Sequence, residues 1–255
     1  MKKLPKGLND YKEIITENFV YVDKTKYIYQ LLNSEKLAFL SRPRRFGKSL
    51  LLSTLYYLFK GNKELFVDTW IYDKWDWQEY PVIRIDLTDV ITRNVEVFKK
   101  DLMQIVKKQA TYLQVSLDEN KEPSIAFREL IWKCEEKYEK SVVILIDEYE
   151  KPVLDNITRK QEAEEMRNFL RSFYSVLKAQ TDKIRFLLIT GLTKFTKMGV
   201  FSALNNLTDI SFKSEYSQML GYTHEEVIQY FDEYIQKYLQ LTGLSKEEFL
   251  SLIHI

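Results

Sequence analysis

Leu37-Ala38-Phe39-Leu40-Ser41-Arg42-Pro43-Arg44-Arg45-Phe46-Gly47-Lys48-Ser49 joins an apolar run to a basic turn ending in Gly-Lys-Ser, and a second apolar run, Leu50 to Phe59, follows at once. As strand, turn and helix, this order collects bare backbone N–H groups, a helix N-terminus, a lysine and a hydroxyl at one point. Those groups hold a phosphate chain and its metal ion. Gly47, Lys48 and Ser49 supply the centre of such a loop, and Arg44, Arg45, Phe46 and Leu50 flank it as further nucleotide-contacting candidates. The pattern G-x-x-x-x-G-K-[ST] is not met in full, because Arg42 stands where its first glycine belongs. A second, independent signal is therefore required.

It lies at Val142-Val143-Ile144-Leu145-Ile146-Asp147-Glu148-Tyr149, an unbroken apolar run closed by two carboxylates. Such a run suits a strand buried on both faces of a parallel sheet. Acids at its carboxyl end sit where open α/β sheets bind ligands. In the P-loop arrangement Asp147 is placed to hold Mg²⁺ through water alongside the Ser49 hydroxyl, and Glu148 to orient and deprotonate the attacking water. The pair resembles a Walker B motif of the hydrolytic type.

With 255 residues, 45% of them hydrophobic, the chain can fill one large α/β core. Lys plus Arg total 38 against 37 for Asp plus Glu, so a net charge of +1 gives no whole-surface footprint for nucleic acid. The single cysteine, Cys134, shares a helical face with Phe127, Leu130 and Ile131 and reads as core. Met1 to Gly7 carries charge with no apolar stretch behind it, unlike a signal peptide, and no segment approaches a bilayer-spanning length. A cytoplasmic location is expected. His224 and His254 lack metal-ligand spacing.

Strand and helix patterns alternate around the two motifs. Helices are expected over 26–33 and over 50–59, the latter apolar on most sides and stopped by Gly61. Residues 62–80, with Trp70, Trp75 and Trp77 among charged neighbours, read as an irregular excursion. Strands are expected over 37–41, 81–87, 142–147, 184–191 and 207–212, and long helices over 94–113, 124–139 and 161–179. The aromatics Tyr230, Phe231, Tyr234 and Tyr238 recur at helical spacing near the end. The fold class is α/β: a P-loop NTPase with a parallel sheet of about five strands and helices on both faces. A strand at 82–87 falls between the Lys48 segment and the Asp147 strand, which suggests that another strand separates the two in sequence or space. With Glu148 beside Asp147, that arrangement resembles the additional-strand ATPase division.

The residues resemble the AAA-ATPase-like domain family of bacterial P-loop proteins. The resemblance is carried by Tyr21-Val22-Asp23-Lys24-Thr25, by Ser41 to Ser49, by Leu145 to Tyr149 with Lys151-Pro152, by Thr190-Gly191, and by Phe201 to Asp209. It implies an ATP-binding domain over 1–218, followed at 219–255 by the start of a helical lid or C-terminal region. It also accounts for the missing glycine, since Arg-Pro-Arg-Arg-Phe-Gly-Lys-Ser is the family's usual loop. Glu150 departs from the Asp more often found there but keeps the charge. Relatives commonly continue into a nuclease-like domain of the PD-(D/E)XK class, so the chain is expected to be truncated before that partner and to meet nucleic acid only indirectly.

ATP and Mg²⁺ are the implied ligands, with Lys48 and Glu148 as catalytic residues and Ser49 and Asp147 at the metal. Arg42, Arg44 or Arg45 either touches phosphate or braces the loop through salt bridges. Thr190 is a polar sensor of the γ-phosphate or a buried cap. Asn205 and Asn206 either make turns or reach the site from another loop, with turns favoured, and Asp23 and Lys24 either form a structural ion pair, the favoured reading, or position the N-terminal segment near the nucleotide. Mg²⁺-dependent hydrolysis that switches a partner is the leading activity. A module that binds ATP without hydrolysis is the alternative, and the Asp147-Glu148 pair argues against a small-molecule kinase.

Overall fold

The computed structural model describes residues 1–118, 120–192 and 206–252. Five parallel strands form one sheet: β1 (Leu37–Ser41), β2 (Val82–Asp86), β3 (Val142–Asp147), β4 (Ile184–Gly191) and β5 (Thr208–Asp209), in the spatial order β2-β3-β4-β1-β5. The strand between the Lys48 and Asp147 segments is therefore β4, and β2 lies at the edge. All six residues of β3 are buried, as its unbroken apolar run requires.

Period-two alternation sends the strand side chains into two cores. Leu37 and Phe39 of β1 and Val142, Ile144 and Ile146 of β3 face one side, where α4 (Val95–Tyr112), α5 (Pro123–Tyr138) and α7 (Lys160–Ala179) add Phe98, Phe127 and Phe173. Cys134 is fully buried in this layer, and burial pushes its thiol up to about 12. Ala38, Leu40, Val143 and Leu145 face the other side, which α2 (Thr25–Ser34) and α3 (Lys48–Phe59) cover with Leu31, Leu55 and Phe59. Helix α3 is buried on most sides. Its two mid-helix hydroxyls are accommodated locally: Ser53 donates to Asp10 Oδ2 at 3.1 Å, and Thr54 donates to Leu50 O at 2.9 Å.

Three short helices carry no strong periodic signal: α1 (Tyr11–Thr16), α6 (Lys151–Leu154) and α9 (Lys246–Leu252). Residues 62–80 form a 3₁₀ turn at Lys63–Phe66 and further turns, held by Tyr80 N donating to Phe59 O at 2.8 Å. β5 is shorter than 207–212. Asp209 Oδ1 accepts from Ser211 N at 2.9 Å, and Ser211 Oγ takes the N–H of Ser41 at 2.8 Å, so the chain turns across the end of β1 instead of continuing along it. The aromatic tail forms α8 (His224–Thr242), opened by a Thr223/Glu226 capping box. Glu226 also takes a hydrogen bond from Lys24 Nζ at 2.6 Å, which pins the start of α8 to the N-terminal region.

Candidate functional site

β1 releases the chain at Ser41 and α3 recaptures it at Lys48. The intervening loop turns through left-handed residues at Arg45, φ 67°, and Gly47, φ 90°, and Gly47 is the N-cap of α3. The N–H groups of Gly47, Lys48, Ser49 and Leu50 donate to no other described residue, and the first bond of the helix is Leu51 N to Gly47 O at 2.9 Å. Those orphan donors and the positive end of the helix dipole make the mouth of the loop an anion site.

Four side chains from the two motifs converge at this mouth. Lys48 is 4% exposed, and its ammonium donates to Arg42 O at 3.0 Å and Pro43 O at 3.3 Å while lying 3.4 Å from Glu148 Oε1. Ser49 Oγ donates to Asp147 Oδ2 at 2.6 Å. Asp147 Oδ1 accepts from Glu148 N at 3.1 Å and from the Thr190 hydroxyl. A buried carboxylate is tolerated only with such donors around it. Glu148 itself sits at φ 53°, left-handed for a glutamate, and keeps 18% of its side chain exposed.

The three arginines separate. Arg42 turns back, donating to Ser41 O at 2.9 Å and to Ser211 O, so it braces β1 against the turn after β5. Burial pulls its guanidinium below the ordinary value, against the opposing charge of Asp209. Arg44 and Arg45 are exposed, and Arg44 lies near enough to Asp155 that, against the effect of burial, it helps Lys151 and Thr92 hold that carboxyl below its ordinary value. Phe46 is 45% exposed, with its ring over the α-carbon of Gly221, and Leu220 covers Gly47 in the same way. Leu50 follows in the first turn of α3, half-buried.

Thr190 is fully buried, paired in register with Leu40, and spends its hydroxyl on Asp147 and on Ile146 O at 3.4 Å. Asn206 lies at the opposite end of β4, donating to Thr181 Oγ1 at 3.3 Å, and Asn205 and His254 fall outside the described residues. Asp23 accepts the N–H groups of Thr25 at 2.8 Å and Trp70 at 2.6 Å, a structural use. Sequence reasoning did not single out the contacts of Leu220 and Gly221 with the loop, and it named Gly191 only beside Thr190 in the family resemblance, without a packing role. A glycine closing a buried strand is the available signal for a close approach there.

The donor set suits a nucleotide with Mg²⁺. A hydroxyl and a carboxylate already in contact would serve a hard cation of this kind, the Ser49 hydroxyl as an oxygen ligand and Asp147 through a bound water, with phosphate and water supplying the rest. Among the described residues no group of three or more His, Cys, Asp or Glu forms a metal cage of its own. No described helix is long and apolar enough to cross a membrane.

A family model described as "Predicted AAA-ATPase" matches residues 5–201. A protein of Azotobacter chroococcum mcd 1, described as "Uncharacterized protein in vnfD 5'region", is 40% identical over 251 residues, covering 97% of this chain and 47% of that protein. The chain thus spans about half the length of this relative. No solved structure matches.

Proposed function

The chain belongs to the AAA-ATPase-like family of predicted ATPases, and from that premise we propose that it binds ATP with Mg²⁺ and hydrolyses it to switch a partner or a C-terminal region. The observation that carries this reading is the meeting of Lys48, Ser49, Asp147 and Glu148, which lie about a hundred residues apart in sequence, around one row of orphan N–H groups. The Lys48 ammonium exchanges its loop carbonyls for β- and γ-phosphate oxygens. Ser49 and Asp147 hold the metal, which when bound neutralises the phosphate charge that builds during transfer. Glu148 takes a proton from the attacking water. Thr190 acts through Asp147 by fixing its carboxylate, and the exposed Arg44 and Arg45 pair with phosphate oxygens, for which guanidinium is well shaped. Residues from 219 onward form the start of a lid over the loop, a role supported by Leu220 and Gly221 against Gly47 and Phe46.

A second reading, nucleotide-gated binding without turnover, draws support from the Lys48–Glu148 pair, which engages the proposed base with the loop's own lysine. Phosphate release from labelled ATP separates the two. Turnover that disappears in Glu148→Gln while ATP binding persists supports hydrolysis, and binding with no phosphate release in the unsubstituted chain supports the gate.

A further inference from the structure

A third carboxylate stands beside the acidic pair and has no part in the chemistry above. Glu150 is 1% exposed, two residues beyond Glu148, and its Oε1 accepts the N–H of Leu192, the first residue past β4. The side chain lies there because residue 191 is glycine: a Cβ on Gly191 would overlap the Glu150 carboxylate and come within 2.6 Å of the Tyr149 ring. The backbone repeats the link, since Tyr149 N donates to Thr190 O at 3.2 Å, while Glu150 O accepts Val153 N and Leu154 N at 3.0 Å to open α6. Glu148 is thus the one left-handed residue in a turn whose two sides are tied to β4 and to α6. A glutamate leaves that conformation unless its surroundings hold it.

We propose that Glu150 is a positioning residue for hydrolysis. By tying Leu192 to the turn after Asp147, it holds Glu148 in the conformation that keeps its carboxylate at the mouth of the phosphate loop, 3.4 Å from Lys48. A buried carboxylate is an expensive way to fill space. What it supplies here is an acceptor of the right reach for one backbone N–H at the exit of the neighbouring strand. The role rests on the hydrolytic reading above.

The test uses the whole chain and measures the Kd for ATP, kcat, KM and melting temperature of Glu150→Ala, Glu150→Gln and Gly191→Ala. Glu150→Ala should lower kcat by about 100-fold, the scale of a misplacement of about an ångström, and leave the Kd for ATP within about twofold. Glu150→Gln keeps an acceptor for Leu192 and should restore kcat to within about fivefold of the unsubstituted chain. Gly191→Ala pushes on both the Glu150 carboxyl and the Tyr149 ring, the two residues that follow Glu148, and it should show the same split between low kcat and unchanged Kd. If Glu150→Ala does not fold, Gly191→Ala decides. Unchanged kcat in Glu150→Ala overturns the proposal, as do losses of kcat, ATP affinity and melting temperature that run in parallel through Glu150→Ala and Gly191→Ala. A chain that binds ATP and releases no phosphate fails the hydrolytic reading itself, and the Glu150 role falls with it. That result differs from normal turnover in the unsubstituted chain with an indifferent Glu150.

Discussion

Lys48→Ala is expected to raise the Kd for ATP by about 10- to 150-fold, and the size follows from what the ammonium already holds. Two charge-assisted hydrogen bonds to phosphate oxygens are worth about 3–6 kcal/mol gross. Against this stand the bonds surrendered on binding: Arg42 O at 3.0 Å, Pro43 O at 3.3 Å and the 3.4 Å approach to Glu148. These offset about half, leaving roughly 1.5–3 kcal/mol, which at about 1.4 kcal/mol per decade gives about 10- to 150-fold. The free protein should barely notice the change. Pro43 is exposed and Glu148 keeps 18% of its side chain in solvent, so water can replace the lost ammonium at both. Titration calorimetry with ATP and Mg²⁺ near physiological salt, together with melting in the absence of nucleotide, measures both statements. A Kd within about threefold of the unsubstituted chain would refute the placing of Lys48 on phosphate, given the decade scale above. A collapse of melting temperature without nucleotide would show instead that the lysine is a structural brace.

Glu148→Gln should bind ATP as tightly as the unsubstituted chain or more so, because it removes the ion pair that competes with phosphate for Lys48, and should release no phosphate; normal turnover would remove Glu148 as the base. Phe59→Ala should cost about 3–5 kcal/mol in urea unfolding, since the ring is fully buried against Phe186, Trp75 and Tyr80; a loss below about 1 kcal/mol would contradict that packing. The lysines 133 and 121 hold the Glu129 carboxyl below the usual glutamate range. A depressed folded value contributes stability above the ordinary value of about 4.3, and this is lost as pH falls through the folded value. Melting temperatures of the unsubstituted chain and Glu129→Gln should therefore differ at neutral pH and converge in acid; a gap that stays constant with pH would show that the charge is not responsible.

The parts of the fold visible in the sequence are those whose information is local. β3 announces itself because both of its faces are covered, so no polar residue interrupts Val142 to Ile146, and the β1–α3 junction because an apolar run, a glycine and a second apolar run meet there. Strand order is different in kind. β1, β3 and β4 are all near-continuous apolar runs, and nothing within any of them says that β4 lies between the other two. That order is fixed by pairing across long separations, such as Ala38 with Leu188 and Ile144 with Leu187. Helix α1 was hidden for a related reason: six residues carry little periodicity, and what holds them is Tyr11 donating to Leu65 O at 2.9 Å and to Ser53 at 2.9 Å. The arginines show the limit at the site. Arg42, Arg44 and Arg45 are equivalent as letters, and only the arrival of Ser211 O beside Arg42 assigns that one to bracing.

A polar group buried in a protein has to be satisfied whether or not its ligand is present, and the candidate site meets that demand by pairing its own members. Lys48 is held by the loop and Glu148, Ser49 by Asp147, and Asp147 by Thr190. Nucleotide binding is then an exchange of partners at these residues, and each returns only the difference between two similar bonds. The orphan N–H groups at the start of α3 and the exposed guanidinium groups of Arg44 and Arg45 exchange mainly water for phosphate, Arg44 giving up in addition its charge interaction with Asp155, so their contacts are not offset by the loss of a hydrogen bond to a described residue. Affinity should therefore be concentrated in the helix terminus and the two exposed arginines, while the exchanging residues govern what happens to the nucleotide once bound. Under the proposed function, donors that a second glycine turn would present from the backbone would come instead from the side chains of Arg44 and Arg45, exposed beside the start of α3.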